Sequence, residues 1–117
     1  MFVCNVDRLL LLVPAVHAFA NEPSVGFESA LDHNLVTLPR SASLTRKVMA
    51  AAERVGKTPR IRVQVRSFDA MCRMVAAGFG LAVLPRAAAP LYARVRGLAV
   101  VDLGGLDFER SFRVPRP

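Results

Sequence analysis

The chain is poor in aromatic residues and has no concentrated run of positive charge. Its 117 residues include no Trp and one Tyr, whereas 16 Lys and Arg stand against 9 Asp and Glu, a formal net charge of +7. That balance could serve an acidic partner such as nucleic acid. Modules that bind single strands, however, stack bases on aromatic rings and follow the phosphates with clustered basic residues. Because the basic residues are dispersed, we expect a solvated basic surface rather than direct nucleic-acid binding.

Cysteine and histidine are also scarce. Cys4 and Cys72 form neither a CxxC pair nor the multi-disulfide framework of small secreted proteins. Cys72 lies in an apolar helical pattern, where a free cysteine behaves as a small core residue. His17 and His33 are far apart in the sequence, with no cysteine or carboxylate at ligand spacing. The sequence therefore predicts neither a metal site nor a cofactor.

Common catalytic motifs are missing as well. The sequence contains no G-x-S-x-G, no H-E-x-x-H and no P-loop. Gly78 and Gly80 form a G-x-G, but it leads from a helical pattern into a strand, the reverse of a dinucleotide fingerprint. They are better interpreted as a helix stop and a tight joint. Asp32 and His33 are adjacent, which aims their side chains apart. We therefore predict that the chain is not an enzyme.

No apolar run approaches the ~18 residues that a membrane span needs. The longest, residues 9–13, ends at Pro14, and with the later "AFA" it has the layout of a secretory signal peptide. Such a leader needs a net positive start. Here Asp7 offsets Arg8, the run is short, and cleavage after Ala20 would discard a strand. The segment is therefore predicted to be an internal strand of a cytoplasmic protein.

What the chain does have is an alternation of strand and helix patterns. A length of 117 residues suits one domain. Strands are predicted at residues 6–13, 35–38, 60–65, 79–85, 98–103 and 108–114, and helical segments at 26–31, 41–57, 67–77 and 86–93. This order is typical of an α/β layer fold, a mainly parallel sheet with helices on both faces.

The ends of the two longer helices carry recognisable signals. Ser41 or Ser43 can cap the first helix, and Gly56 sits where a left-handed residue would end it. Glu53 and Lys57 are spaced for an ion pair. In the second helix Phe68, Cys72, Val75 and Phe79 follow helical spacing between a Ser67 cap and a Gly78 stop.

One junction between strand and helix has chemical promise. In "VTLPRSASL" a buried strand ends, and a loop with Arg40, Ser41 and Ser43 enters a helix. Open α/β sheets bind ligands at the carboxyl ends of their strands. Free N–H groups, the positive helix end and a guanidinium favour an anion such as a carboxylate. The alternative is that the serines only cap and Arg40 is solvated. The junction "VRSFDAM", with Ser67 and Phe68, could line the same wall of a cleft.

Four stretches follow one another along the chain: "DRLLLLVPAVHAFA", "LDHNLVTLPRSASLTRKVMAAAERVG", "RIRVQVRSFDAMCRMVAAGFGLAVLP" and "GLAVVDL". They include an Asp-Arg-Leu with a following Pro and His-x-x-Ala, and a Val-Ala-Ala-Gly-x-Gly block ending in Pro. In this chain these residues are Asp7, Arg8, Leu9, Pro14, His17, Ala20, Val75, Ala76, Ala77, Gly78, Gly80 and Pro85. The order and spacing resemble the effector-binding domain of LysR-type transcriptional regulators. The resemblance runs from about residue 6 to residue 103 and matches the second lobe of that domain.

The resemblance implies a Rossmann-like lobe of the type II periplasmic-binding-protein fold. In that family two such lobes enclose a small-molecule effector, and no bond is made or broken. The effector loop would be Arg40, Ser41, Ala42 and Ser43, with the second junction, Ser67 and Phe68, beside it. The lobe alone, without its opposite wall, is expected to bind an effector weakly or not at all.

The resemblance also implies partners. Effector domains of the family pair as dimers or tetramers, which would place exposed parts of the helix 67–77, such as Met71 and Met74, in an interface. The alternative is that both methionines are ordinary core residues. DNA would be bound only through a separate winged helix-turn-helix. Residues 1–117 would then be a partial effector domain, with 108–117 starting the crossover to the first lobe. A periplasmic solute-binding lobe, a small basic nucleic-acid module, an α/β enzyme and the non-functional product of a truncated gene stay open as alternatives.

Overall fold

Six strands and three α-helices form the part of the chain that the computed structural model describes, residues 9–88 and 95–104. The strands are β1 (Leu9–Pro14), β2 (Ser24–Gly26), β3 (Asn34–Thr37), β4 (Arg60–Gln64), β5 (Ala82–Pro85) and β6 (Leu98–Gly104). The helices are α1 (Phe27–Ala30), α2 (Ser43–Arg54) and α3 (Phe68–Ala76). Short 3-10 turns follow β1 at Ala18–Asn21 and β5 at Arg86–Ala88.

The sheet runs mainly in one direction. Four strands lie in the order β2-β6-β1-β5, and β3 pairs in parallel with β4. A parallel bridge between Leu35 and Leu81 joins the two groups, and the Val36 N–H donates to the Leu81 carbonyl at 2.8 Å. β1 is antiparallel to both β5 and β6, so these two neighbours share a direction. The predicted mainly parallel sheet is confirmed, with β1 as the strand that runs against the others.

Helices cover both faces of this sheet, as predicted. Since side chains alternate along a strand, β1 divides its residues between two apolar clusters. Leu9, Leu11 and Val13 pack with residues of α1 and α2, whereas Leu10 and Leu12 pack with residues of α3. Leu11 and Leu12 are fully buried. Burial of each such side chain stabilises the fold by about 2 kcal/mol, which makes β1 the centre of the core.

The two longer helices end in the same way. Gly56 follows α2 with φ +73°, and Gly78 follows α3 with φ +91°. The Gly56 N–H donates to the Glu53 carbonyl at 3.0 Å, and the Lys57 N–H donates to the Ala52 carbonyl at 2.9 Å. An equivalent pair of bonds closes α3 at 2.9 and 3.1 Å. These are Schellman motifs, in which a left-handed residue satisfies the last carbonyls, and both predicted glycine stops are confirmed.

Gly80 fixes the distance between β5 and β3. A Cβ atom at this residue would lie 2.6 Å from the Asn34 carbonyl oxygen, closer than any ordinary contact. The Leu81 N–H donates to that same oxygen at 2.9 Å. The tight joint predicted at Gly80 is therefore real, and it positions β3 beside β5.

The ion pair that the sequence predicts between Glu53 and Lys57 is wrong. Lys57 pairs instead with Asp32, with Nζ 2.7 Å from Oδ1, and it also donates to the Glu28 carbonyl at 3.4 Å. The hydrogen bond and the charge of Lys57 lower the pKa of the Asp32 carboxyl. This contact joins the end of α2 to the turn after α1, which local spacing alone does not predict.

Some predictions lie partly or wholly outside the described residues. These are the start of the first strand with Asp7 and Arg8, most of the helix at 86–93, the strand at 108–114 and the crossover at 108–117. Within residues 9–88 and 95–104, no helix is long and apolar enough to cross a membrane.

Candidate ligand-binding site

The two junctions between strand and helix lie side by side. In the parallel pair β3–β4, Thr37 is opposite Gln64, and the Val65 N–H donates to the Thr37 carbonyl at 2.8 Å. Because parallel strands end at the same edge of a sheet, α2 and α3 both begin at this edge. The structure thus brings the loop 40–43 and the pair Ser67 and Phe68 to one rim of the lobe.

The N-terminus of α2 has no side-chain cap. Ala42 is the N-cap residue, and none of the described side chains accepts a hydrogen bond there. The predictions that Ser41 or Ser43 caps this helix are therefore wrong. In the preceding turn the Ala42 N–H donates to the Pro39 carbonyl at 2.9 Å, and α2 then begins at Ser43, so Ala42 rather than a serine is the N-cap.

This uncapped start is suited to a negative ligand. The first N–H groups of a helix have no acceptor within it and carry a partial positive charge. The first turn of α2 contains no acidic residue to offset that charge. Arg40, Ser41 and Ser43 are all exposed around it. Carboxylate oxygens could accept from these N–H groups and from the guanidinium together.

Thr37, which the sequence analysis missed, lies directly behind this start. Its side chain is only 7% exposed, and its Oγ1 has no hydrogen-bond partner among the described residues. Thr45 is 2% exposed, but its Oγ1 donates to the Leu38 carbonyl at 3.1 Å. An unsatisfied buried hydroxyl costs about 1–3 kcal/mol, so Thr37 needs an explanation. The signal in the sequence was a hydroxyl at the end of the apolar strand "LVTL".

Thr37 lines a small, mainly apolar pocket at the carboxyl end of β3. Residues of β3, α2, α3 and β5 form it: Leu35, Val36, Thr37, Leu38, Leu44, Thr45, Val48, Met71 and Val83. Small-molecule sites usually have an apolar wall and a few converging polar groups, but this pocket has room for only about one water molecule and can form only part of such a site. The free hydroxyl and the uncapped N–H groups therefore lie in one region.

The start of α3 is different because its own side chains satisfy it. Ser67 Oγ accepts a hydrogen bond from the Ala70 N–H at 3.1 Å, so the predicted cap is confirmed. Asp69 stands in the first turn and pairs with Arg73 at 3.0 Å. Phe68 is half-buried against the cluster around α3. Of the two junctions, the one at α2 has neither a side-chain cap nor an acidic residue in its first turn, so more of its positive charge is left for a ligand.

The two methionines predicted for a dimer interface differ in exposure. Met71 is 1% exposed, and it packs in the core on the α3 side of the sheet. The expectation that it is an exposed part of the helix is therefore wrong. Met74 is half-buried at the margin of the same cluster. A role of this helix in an interface stays a prediction, carried by Met74.

A sequence profile described as the LysR substrate binding domain matches residues 4–116. Among solved structures, a putative LysR family transcriptional regulator from Pseudomonas aeruginosa, the PA01 protein, superposes with a TM-score of 0.72 at 25% identity. That match covers 84% of this chain and 34% of the other. No curated protein matches the sequence significantly.

Two isolated effector domains superpose equally well. The BenM effector binding domain with benzoate has a TM-score of 0.72 at 24% identity, covering 83% of this chain and 45% of that one. The QuiR effector binding domain with shikimate has a TM-score of 0.72 at 17% identity, covering 88% and 53%. The chain thus spans about a third of the regulator and about half of each effector domain. At these identities, the two effector domains show a shared fold.

Proposed function

The chain belongs to the LysR substrate-binding domain family, and from this premise we propose that it forms one lobe of the effector-sensing domain of a bacterial transcriptional regulator. A second lobe would close over the edge where α2 and α3 begin, leaving the effector between the two. The protein would bind its effector without chemical change, and it would act in the cytoplasm.

The proposed effector is a small anion with a carboxylate. The observation that carries this proposal is the uncapped start of α2, beside the unpartnered Thr37 hydroxyl. The carboxylate would accept from the first N–H groups of α2, in the loop Arg40, Ser41, Ala42 and Ser43, and Arg40 would add a charge-assisted hydrogen bond. The benzoate and shikimate bound by two similar domains are both carboxylates, which supports this choice.

The remainder of the effector would lie across the mouth of the pocket at the end of β3, because the pocket itself has room for only about one water molecule. Because Thr37 Oγ1 is buried, it would reach a polar group of the effector through a water molecule in that pocket, and this bond would offset the desolvation cost of the hydroxyl. Leu38 and Leu44 offer an apolar wall. At the second junction, Phe68 offers a ring beside the ligand, while Ser67 holds α3 in place through its bond to Ala70.

Effector binding would act by selecting a closed arrangement of lobes. A ligand shifts such an equilibrium only by its difference in affinity for the two arrangements, so contacts from both lobes are needed. In a dimer or tetramer, the α3 face with Met74 would carry this change to a partner subunit. This would change the way in which a separate winged helix-turn-helix contacts DNA.

The proposal is tested by nuclear magnetic resonance with benzoate as the probe and methyl benzoate as the uncharged control. Lacking its opposite lobe, the chain should bind benzoate only weakly, with a Kd of about 1 mM or higher, equivalent to about 4 kcal/mol. Amide signals of Thr37 and of residues 43–45 should shift with benzoate and not with the ester. Equal shifts with the ester, or shifts centred on residues 68–70, would each contradict the proposal.

A further inference from the structure

Three rings form a cluster at the opposite end of the lobe. His17 lies with its ring centroid 4.9 Å from Phe19 and 5.2 Å from His33, and Phe19 lies 5.0 Å from His33. His17 follows β1, which runs against the other strands, and His33 immediately precedes β3. The cluster therefore sits at the edge of the sheet away from the candidate ligand site.

His17 holds the turn that follows β1. It is the N-cap of the 3-10 turn Ala18–Asn21, and its Nδ1 accepts a hydrogen bond from the Phe19 N–H at 3.0 Å. A neutral imidazole with Nδ1 as acceptor carries its proton on Nε2. Protonation would place a second hydrogen on Nδ1, so two donors would face each other and the cap would be lost.

The surroundings of His17 offer a positive charge little compensation. Burial and the charge of His33 both lower the pKa of His17, and they are the only causes that act on it among the described residues. Asp32, beside His33, is already paired with Lys57. The charged groups on the elements that pack around the turn are Glu22 after it, Asp32 and His33 after α1, Arg96 before β6 and Asp102 within β6.

The turn also packs on the core. Phe19 and Ala20 are half-buried against the cluster that α1 and α2 form on β1. The Ala20 N–H donates to the His17 carbonyl and the Glu22 N–H to the Phe19 carbonyl, both at 3.0 Å. Loss of the cap would weaken these bonds together, because a single turn is held by few contacts.

We propose that His17 is an acid-sensitive latch, whose protonation at Nδ1 breaks the bond to the Phe19 amide and releases the turn Ala18–Asn21 from the lobe. The sheet and the two longer helices stay folded when the latch opens. The latch lies at the end of β3 away from the candidate ligand site.

Hydrogen exchange by nuclear magnetic resonance tests the latch on the 117-residue chain. Exchange rates are compared near pH 7.5 and near pH 5, on either side of the ordinary histidine pKa, and corrected for intrinsic exchange. The amides of Ala20 and Glu22 should lose protection by about fivefold or more at the lower pH, as expected when one N-cap bond is lost. The amides of β1 should keep theirs. Equal protection of the turn at both pH values would overturn the proposal.

His17→Asn is the matched variant, because asparagine keeps an acceptor at the cap and does not titrate. Its turn should be equally protected at both pH values, and a loss like that of the unmodified chain would overturn the proposal. A second readout needs no variant. The Phe19 amide shift should titrate at the same midpoint as the His17 ring, and separate midpoints would show that the two are not coupled.

Discussion

The helices α2 and α3 begin at the same edge of one sheet and end in the same glycine motif, yet they begin differently. Ser67 caps α3 with a bond to the Ala70 N–H, and Asp69 offsets the positive end of that helix. α2 starts at Ala42 with neither device, and the Thr37 hydroxyl behind it has no partner among the described residues. A helix start that its own sequence satisfies has little left for a ligand. The imperfect start is the better candidate for a site, because proteins depart from locally optimal choices where function requires it.

The comparison depends first on Gly80, which holds β3 beside β5. Gly80→Ala places a Cβ atom 2.6 Å from the Asn34 carbonyl oxygen, so the strand must move. We expect a loss of about 3 kcal/mol in the free energy of unfolding, measured by urea denaturation. Gly56→Ala is the control, since it has a positive φ and open space around the new Cβ. It should cost only about 1 kcal/mol, and equal losses would show that the contact with Asn34 is not the cause.

Thr45 and Thr37 allow a hydroxyl with a hydrogen-bond partner to be compared with one that has none among the described residues. Thr45→Val removes the bond to the Leu38 carbonyl, so we expect the free energy of unfolding to fall by about 1–2 kcal/mol. Thr37→Val removes a buried hydroxyl without a partner, so stability should be unchanged or rise by about 1 kcal/mol. Benzoate binding should weaken in the Thr37 variant. If Thr37→Val destabilises the lobe as much as Thr45→Val, its hydroxyl has a structural role and does not mark a site.

Two serines test the helix starts directly. Ser67→Ala deletes the cap of α3 and should lower the free energy of unfolding by about 1 kcal/mol. Ser43→Ala changes an exposed residue that caps nothing, so its effect should stay within about 0.5 kcal/mol. Thermal or urea unfolding of the two variants side by side gives the difference. Equal losses would mean that Ser43 also satisfies a helix N–H group in solution.

The features that sequence could predict are the local ones. The glycines after α2 and α3 and the serine before α3 act within a few residues of the chain, and each was found where the pattern placed it. The predicted buried face of α3 included Cys72 and Val75 and lacked only Met71 among the buried residues of this helix. Met71 lies four residues before Val75, so helical spacing already put it on the buried side.

The features that sequence could not predict depend on contacts between distant segments. The start of α2 is set by the turn at Pro39 and by Thr45, which bonds to Leu38, rather than by the nearest serine. Asp32 reaches Lys57 across 25 positions. The free state of the Thr37 hydroxyl follows only from the packing of β3 against its neighbours. Spacing therefore indicated the junction that is proposed as the site, whereas the donors that distinguish it could be seen only in the fold.

The last variant gives α2 a side-chain cap like the one that α3 already has. Its expected effect on stability is the smallest, but it tests the difference between the two helices most directly. Ala42 has the extended backbone of an N-cap, with φ −71° and ψ 143°. In Ala42→Asp a carboxylate could accept from the first N–H groups and offset the helix dipole. The free energy of unfolding should rise by about 0.5–1 kcal/mol.

The same change should abolish the benzoate-induced shifts at residues 43–45, because the new carboxylate occupies the place proposed for the ligand's own. Ala42→Asn is the control, since it caps without a charge and should stabilise the helix while repelling the ligand less. Stability gained together with binding lost would identify the unfilled cap as the site. An aspartate variant that is no more stable than the original chain and still binds benzoate would place the ligand elsewhere.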